Sequence, residues 1–198
     1  MKYDRAYYTT GNYIDYLQRK FAALAKDLVA LLRLEPFHKV IDVGCGYGGL
    51  VHELYSNGFH NSYGVDISTW AINYGQEIYP EIAGNLEVYK PDNVSREKDH
   101  VLFLDVLEHI AISDLSLILK MAARNLRCSL VARIPISGKE GDRFFLDASN
   151  SDPTHITCHC RNWWLSLFDS LGYEFGGDVT ADSIYSSQGV LSGIWKPK

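Results

Sequence analysis

The stretch Asp42-Val43-Gly44-Cys45-Gly46-Tyr47-Gly48 decides the fold of this chain. It overlaps the end of an apolar run that predicts a short buried strand over residues 39–43. Because glycine lacks a Cβ, the three glycines permit a tight turn and let a ligand approach the backbone closely. Free N–H groups at the start of the next helix attract an anionic or polar group. The stretch therefore predicts a ligand-binding turn between a strand and a helix.

An acidic residue ends the next predicted strand. Residues 62–66 form that strand, and Asp66 lies about 20 positions after Gly44, at the spacing expected for a ribose-binding acid. A carboxylate in this position can accept hydrogen bonds from both hydroxyls of a ribose diol. The glycine turn and Asp66 together predict a cofactor that contains adenosine.

Predicted strands and helices alternate along the rest of the chain. The strands are 39–43, 62–66, 86–89, 100–104, 129–134, 173–179 and 189–195, and the helices are 13–33, 50–55, 68–79, 113–126 and 161–171, with Ser68 and Ser113 as N-caps. Such alternation predicts an α/β fold with a doubly wound, mostly parallel seven-stranded sheet and helices on both faces. The last two strands lack an intervening helix, so we expect an antiparallel hairpin at the C-terminal edge.

Composition narrows the possible partners. Hydrophobic residues make up 46% of the 198 residues, charged residues 22%, and the net charge is −5, which suits an ordinary globular domain and disfavours nucleic acid as substrate. No segment reads as an export signal or a membrane span, and the four cysteines suggest no disulfide framework. We therefore expect a cytoplasmic monomer or homodimer that binds a small molecule, with neither nucleic acid nor membrane as partner.

Two cofactors remain open from the glycines alone. Gly44, Gly46 and Gly49 also satisfy the G-x-G-x-x-G pattern of nicotinamide-binding folds. Asp42 disfavours that interpretation, because a carboxylate at the end of the first strand can meet a cationic ligand instead. A sizeable helix before the first strand and the segment after the fourth strand also disfavour a nicotinamide cofactor.

Three motifs in order resemble those of class I S-adenosylmethionine-dependent methyltransferases. Val40–Gly48 looks like motif I, Tyr63–Ser68 resembles the strand with the ribose-binding acid, and Leu104–Ile110 is similar to the segment after strand four in the small-molecule branch. Residues 152–156 and 171–173 resemble the C-terminal part of such enzymes, and residues 3–16 resemble N-terminal segments of some sugar and natural-product methyltransferases. This resemblance implies S-adenosylmethionine as the cofactor.

The resemblance also implies roles for single residues. Asp66 binds the ribose hydroxyls, Asp92 faces the adenine amino group with Asn93 beside it, and Asp42 and Asp105 lie near the methionine part. The full set of expected cofactor-binding residues is Asp42, Gly44, Cys45, Gly46, Gly48, Asp66, Ile67, Asp92, Asn93 and Asp105. We expect a single domain over residues 1–198, with a helical N-terminal lid (1–36), a cofactor-binding core (37–135) and a segment with the substrate loop, last helix and edge strands (136–198).

His155 and His109 are the candidate catalytic bases. Methyl transfer to a hydroxyl needs a base, since the cofactor supplies the activated methyl group but does not remove the proton. His109 follows the fourth strand, and His155 lies in the expected substrate loop, where Asp147 or Asp152 could orient it. Helix capping or packing over the cofactor remains an alternative for His109, and a structural hydrogen bond remains one for His155. No metal is expected, because the spacing within residues 155–160 is poor for a closed zinc site.

The sequence thus favours an enzyme that methylates a small polar metabolite, with preference for a hydroxyl of a sugar or another biosynthetic intermediate. An N-methyltransferase of a small amine, a NAD-dependent oxidoreductase and a non-catalytic cofactor-binding module are the alternatives. Tyr7, Tyr8, Tyr13 and Tyr16 either form part of a lid over the cofactor or pack the first helix onto the domain.

Overall fold

The computed structural model describes residues 3–10, 15 and 19–198. Its strands are β1 (Val40–Val43), β2 (Ser62–Asp66), β3 (Leu86–Val88), β4 (Lys98–Leu104), β5 (Leu126–Pro135), β6 (Tyr173–Asp178), β7 (Thr180–Ala181), β8 (Ile184–Tyr185) and β9 (Val190–Pro197). Its α-helices are α1 (Arg5–Thr9), α2 (Ala22–Leu32), α3 (Gly49–Ser56), α4 (Thr69–Ile78), α5 (Pro91–Val94), α6 (Ile112–Ala123), α7 (Asp147–Asn150) and α8 (Arg161–Ser170).

Seven strands form one sheet in the order β3-β2-β1-β4-β5-β9-β6. The first five strands along the chain pair in parallel, whereas β9 pairs antiparallel with both β5 and β6. The predicted doubly wound sheet with an antiparallel edge hairpin is therefore confirmed. Strand β9 lies inside the sheet and β6 forms its edge. Along the chain, β6 and β9 are separated by a two-stranded hairpin, β7–β8, which the sequence did not predict.

Both faces of the sheet are covered by helices. Alternate side chains of a strand point to opposite faces, and accordingly Val101 packs into one core cluster and Leu102 into another. Helices α6 and α8 cover the first face with buried Leu119 and Trp164. Helices α2 and α3 cover the second face with a smaller apolar cluster. Burial of each large apolar side chain contributes about 1.5–3 kcal/mol, so both faces stabilise the sheet.

Helix boundaries follow the sequence with some corrections. Ser68 caps α4 by accepting a hydrogen bond from the Ala71 N–H, as predicted. Ser113 does not cap α6, because the helix begins at Ile112 and the Ser113 hydroxyl donates to Asp114 instead. The helix also stops at Ala123, before a left-handed turn at Asn125 (φ 55°) that leads into β5. The predicted helix over residues 13–33 is described from Ala22, and part of its start lies outside the described residues.

The order of the strands reverses between β1 and β4. Strands β2 and β3 are added on one side of β1, and β4 and β5 on the other. In doubly wound sheets this switch point opens a crevice at the carboxyl ends of the strands. The register places Val43 of β1 beside Phe103 of β4, so the glycine turn and the segment after β4 start side by side. No helix among the described residues combines the length and apolar character needed to cross a bilayer.

Candidate functional site

The glycine turn after β1 has a backbone that only glycine adopts readily. Gly44, Gly46 and Gly48 have φ angles of 80°, 58° and 82°, in the left-handed region. A Cβ on Gly44 would lie 2.4 Å from Val106 Cγ2, which belongs to the segment after β4. The glycines therefore allow both the tight turn and the close approach of the two segments that border the crevice.

Asp66 holds the turn against the end of β2. Its Oδ2 accepts a hydrogen bond from the Gly46 N–H, and its Oδ1 accepts one from the Ser68 N–H, both at 2.8 Å. Burial raises the pKa of this carboxyl, while hydrogen bonds from Ser68, Gly46 and Tyr8 act in the opposite direction. The side chain is buried but lines the cavity, so it can both fix the turn and meet a ligand.

Asp42 is a second buried carboxylate in the same crevice. Only 5% of its surface is exposed, and burial together with the charge of Asp66 raises its pKa to about 7. Arg133 on β5 acts in the opposite direction. A cation placed beside Asp42 would favour its ionised form, because opposite charges at short range stabilise each other.

Asp105, the first residue after β4, forms an ion pair with Arg133 of β5. Arg133 Nε donates to both carboxylate oxygens of Asp105, at 2.9 and 3.1 Å, and its Nη2 donates at 2.5 Å. Asp105 has a φ of 58°, an uncommon conformation for a residue with a side chain. This bidentate contact orients the guanidinium and fixes the polypeptide that leads into Glu108 and His109.

Glu108 is fully buried, with 0% of its surface exposed, and lies between two histidines. Its Oε1 is 3.9 Å from His109 Nε2 and 4.0 Å from His155 Nε2. Backbone hydrogen bonds join the distant segments, since the Glu108 carbonyl accepts from the N–H groups of Ile156 and Thr157 at 2.9 and 3.0 Å. Burial, and then the charge of Asp105, raises the pKa of Glu108 well above its usual range.

A hydrogen-bonded chain sets the tautomer of His109. The Thr154 hydroxyl donates to Asp152 Oδ1 at 2.6 Å and lies 2.8 Å from His109 Nδ1. The Thr154 carbonyl, which can only accept, lies 3.3 Å from the same nitrogen. His109 Nδ1 therefore carries the hydrogen and donates, so in the neutral ring Nε2 presents its lone pair toward Glu108.

One cavity of ≈ 1190 Å³ joins these groups. Nine of the predicted site residues line it, namely Asp42, Gly44, Cys45, Gly46, Asp66, Ile67, Asp105, His109 and His155. Ile67 is 63% exposed, so it offers an apolar surface next to Asp66. Ligand pockets for one drug-sized molecule commonly measure about 300–1000 Å³, so this cavity is larger than one such ligand requires.

Three other predicted cofactor-binding residues do not line this cavity. Gly48 serves packing, because a Cβ there would lie 2.6 Å from Leu86 Cδ2. Asp92 is exposed at the start of α5, and the buried Asn93 amide donates to Glu87 and to the Val88 carbonyl. Their contact with a cofactor stays a prediction. Asp147, considered as a partner of His155, is exposed and lies 3.7 Å from Arg143.

The described N-terminal residues cover one side of the cavity. Tyr3, Tyr7 and Tyr8 all line it, and the Ser68 hydroxyl donates to the Tyr3 carbonyl at 2.5 Å. Tyr8 is buried and stacks on Trp70 of α4, with 5.5 Å between ring centroids. Tyr13 and Tyr16, also considered for a lid, lie outside the described residues.

Sequence reasoning missed three contributors to this site. Glu108 stands in the motif after β4, where a carboxylate next to a histidine after a buried strand is a usable signal. Arg133 lies in a predicted strand, and Thr154 lies in the segment that resembles the C-terminal part of the family. Their partners, Asp105 and His109, are distant in sequence, so only the fold reveals the contacts.

Known proteins resemble this chain in sequence and in structure. The family model of the methyltransferase domain matches residues 13–132. Cyclopropane-fatty-acyl-phospholipid synthase of Escherichia coli K12 is 26% identical over 127 residues, which is 64% of this chain and 32% of that protein. The chain thus spans about a third of the length of the curated relatives it matches.

Solved structures share the fold at low sequence identity. A SAM-dependent methyltransferase from Archaeoglobus fulgidus has a TM-score of 0.66 and 15% identity, covering 91% of this chain and 96% of that one. Magnesium protoporphyrin IX methyltransferase from Synechocystis PCC 6803, with bound S-adenosylhomocysteine, has a TM-score of 0.64 and 18% identity, covering 89% and 83%. The family match covers more than half of the chain and agrees with the three sequence motifs. The chain therefore belongs to the methyltransferase domain family and shares the fold of the solved methyltransferases.

Proposed function

We propose that this enzyme transfers the methyl group of S-adenosylmethionine to a hydroxyl of a small polar metabolite, such as a sugar or another hydroxylated biosynthetic intermediate. The observation that carries the proposal is the cluster of buried Glu108 with the partly buried His109 and His155, which lines the same cavity as the glycine turn. A hydroxyl acceptor needs a group that removes its proton, whereas an amine only has to arrive deprotonated. The net charge of −5 favours a small acceptor over a nucleic acid.

The cofactor would occupy the side of the cavity nearest the glycine turn. Asp66 lies where a carboxylate can accept from the ribose hydroxyls, and the exposed face of Ile67 can pack against adenine. The methionine part would approach Gly44 and Gly46, with its cationic groups toward Asp42. The acceptor would then lie between the sulfonium methyl group and the Glu108 cluster.

The transfer itself is an in-line displacement at carbon. As the acceptor oxygen forms its bond to the methyl carbon, the carbon–sulfur bond breaks and its electron pair stays on sulfur, giving S-adenosylhomocysteine. In the simplest form, the hydroxyl proton passes to His155 Nε2, and Glu108 Oε1, 4.0 Å away, stabilises the resulting imidazolium. The remaining task of the protein is to align the two ligands and exclude water.

A turnover assay with matched acceptors tests the proposal. We expect S-adenosylhomocysteine to form with hydroxylated acceptors such as sugars, and not with the analogue in which the reacting hydroxyl is replaced by hydrogen. His155→Ala is expected to lose turnover while cofactor binding persists. Turnover on amines alone would support N-methylation instead. Binding of S-adenosylmethionine without turnover on either panel would favour a non-catalytic binding module.

The pH dependence of cofactor affinity reports on Asp42. Because its pKa is raised to about 7, Asp42 is partly protonated below that pH, and a cationic ligand favours the charged form. We expect the affinity for S-adenosylmethionine to rise by up to about tenfold per pH unit as the pH approaches 7, and then to level off. Isothermal titration measures this, with Asp42→Asn as the variant in which the rise should disappear. A rise of the same size in Asp42→Asn would assign it to another group.

A further inference from the structure

We infer that Glu108, His109 and His155 bind a divalent transition-metal cation, which holds the acceptor oxygen beside the methyl donor. Among the described residues, these three form the one group of histidine, cysteine and acidic side chains whose ligand atoms converge closely enough, within 4.8 Å of one another. The sequence predicts no metal, because the spacing within residues 155–160 is poor for a closed zinc site and no pattern shows that these three distant residues converge. The functional part of the inference rests on the proposed hydroxyl methylation, whereas the binding of a cation does not.

The distances within the cluster suit a cation better than a shared proton. Hydrogen bonds between nitrogen and oxygen require about 2.7–3.2 Å, but Glu108 Oε1 lies 3.9 Å from His109 Nε2 and 4.0 Å from His155 Nε2. A metal with bonds of about 2.1 Å to each ligand can link atoms up to about 4.2 Å apart. Small side-chain movements of about half an ångström would bring all three atoms into one coordination sphere.

The burial of Glu108 gives an independent reason. Both of its carboxylate oxygens are buried and neither has a hydrogen-bond partner among the described residues. Burying a polar group without a hydrogen bond costs several kcal/mol, and burying an unpaired charge costs more. His155 Nδ1 is likewise buried without such a partner. A cation in front of Oε1 would offset the burial of the carboxylate, and the cavity in front of it gives access.

The surroundings of His109 match those of a metal-bound imidazole. Its Nδ1 donates toward Thr154, whose hydroxyl donates to Asp152, so Nε2 of the neutral ring faces Glu108 as a lone-pair donor. Metal-binding histidines usually donate their other ring N–H to a neighbouring acceptor, which fixes the tautomer. Two electron-pair donors, Nε2 and a carboxylate oxygen, thus face each other across the gap that a cation would fill.

The ligand set indicates the kind of metal. Two imidazoles and one carboxylate favour Zn²⁺, Fe²⁺, Co²⁺ or Mn²⁺ over Mg²⁺ and Ca²⁺, which prefer oxygen ligands. Three protein ligands leave at least one coordination position open, as in catalytic sites. Because the cluster lines the cavity, that position is accessible to an acceptor hydroxyl. The favoured substrate class is therefore an acceptor with a metal-binding oxygen, such as a hydroxyl beside a second oxygen.

Coordination would change the route of the proton. A metal lowers the pKa of a bound hydroxyl, so the oxygen is activated before methyl transfer. The O–H bond breaks with its electron pair left on oxygen, and the proton passes to bulk water. The oxygen then forms the O–CH₃ bond as the C–S bond breaks. His155 acts as a ligand in this case rather than as the base.

Metal titration without cofactor or acceptor tests the site directly. The protein is treated with a chelator, dialysed and titrated separately with Zn²⁺, Mn²⁺, Co²⁺ and Mg²⁺ by calorimetry, and the visible spectrum of the Co²⁺ form is recorded. We expect one transition-metal ion per chain, with Mg²⁺ at least tenfold weaker. Glu108→Gln and His155→Ala should each weaken binding at least tenfold and change the Co²⁺ spectrum.

The matched control is His159→Ala. His159 Nδ1 lies 2.6 Å from Glu140 Oε1, so this variant removes another histidine–carboxylate pair away from the cluster and should bind metal like the wild type. Absence of saturable binding, or equal affinities in His155→Ala and His159→Ala, would overturn the metal site. Full methyl transfer by metal-free enzyme would overturn its catalytic role and leave the proposed function intact. Metal binding without turnover on any hydroxylated acceptor would support the site and contradict the proposed function.

Discussion

Replacing Glu108 with Gln is expected to lower turnover by about 10²–10⁴-fold, the usual contribution of acid–base groups, while cofactor affinity stays nearly unchanged. Gln has almost the same shape as Glu, so the fold should persist. It cannot ionise, whereas Glu108, whose raised pKa favours the neutral acid, can become a carboxylate when a positive charge forms or binds beside it, 3.9 and 4.0 Å from Nε2 of His109 and His155. Whether the charge stabilises an imidazolium or holds a cation, its loss removes the activation of the acceptor hydroxyl.

The measurement compares turnover with binding in the same protein. Initial rates of S-adenosylhomocysteine formation give turnover, calorimetry gives cofactor affinity, and thermal unfolding checks the fold. Glu97→Gln is the matched control, because Glu97 is exposed and pairs with Lys39 and Arg127 outside the cavity. Wild-type turnover in Glu108→Gln would exclude the cluster from catalysis. A matching loss in Glu97→Gln would show that the effect is not specific to the site.

Replacing Asp66 with Ala is expected to weaken S-adenosylmethionine binding by about 100-fold or more. Hydrogen bonds to a charged group are worth about 1.5–3 kcal/mol each, and tenfold in affinity corresponds to about 1.4 kcal/mol. The variant would lose the proposed bonds to the ribose. It would also leave the N–H groups of Gly46 and Ser68 without their carboxylate acceptor, which loosens the turn.

Calorimetric titration of S-adenosylmethionine and S-adenosylhomocysteine measures this effect. Both ligands contain the ribose, so both should lose affinity by a similar factor. Asp169→Ala is the control, since Asp169 is exposed and pairs with Lys198 at the other end of the chain. Unchanged affinity in Asp66→Ala, with the variant folded, would refute the ribose contact. Asp92→Ala in the same titration tests the predicted adenine contact, which a loss of affinity would support.

The fold was predictable because its signals are local. Strand β1, the glycine turn and the helix after it follow one another, and positive φ angles at Gly44, Gly46 and Gly48 select glycine whatever the rest of the chain does. The cap at Ser68 also depends only on residues within one helical turn. Where local signals were ambiguous, as at Ser113, the boundary was wrong, since α6 follows Ala111, which makes no side-chain cap.

The candidate site was only partly predictable. His109 and His155 were each identified as a possible base, but nothing in their spacing showed that they share Glu108. Their rings approach to 4.6 Å because backbone hydrogen bonds from Ile156 and Thr157 dock the C-terminal loop onto the segment after β4. Backbone hydrogen bonds carry no side-chain signature, and the side-chain contacts that accompany them, such as Thr154 with His109, join residues 45 positions apart, so the docking leaves no local pattern in the sequence.

By itself, the sequence determined the doubly wound fold and the position of the glycine turn, and it predicted the cofactor class that we propose for this turn. These follow from the short-range demands of glycine turns, apolar strands and an acid at the next strand end. Only the tertiary structure decided that Glu108, His109 and His155 converge, that Arg133 pairs with Asp105, and that Asp92 is exposed. The physical reason is that convergence depends on strand order and loop docking, which bring together residues that do not constrain one another along the chain.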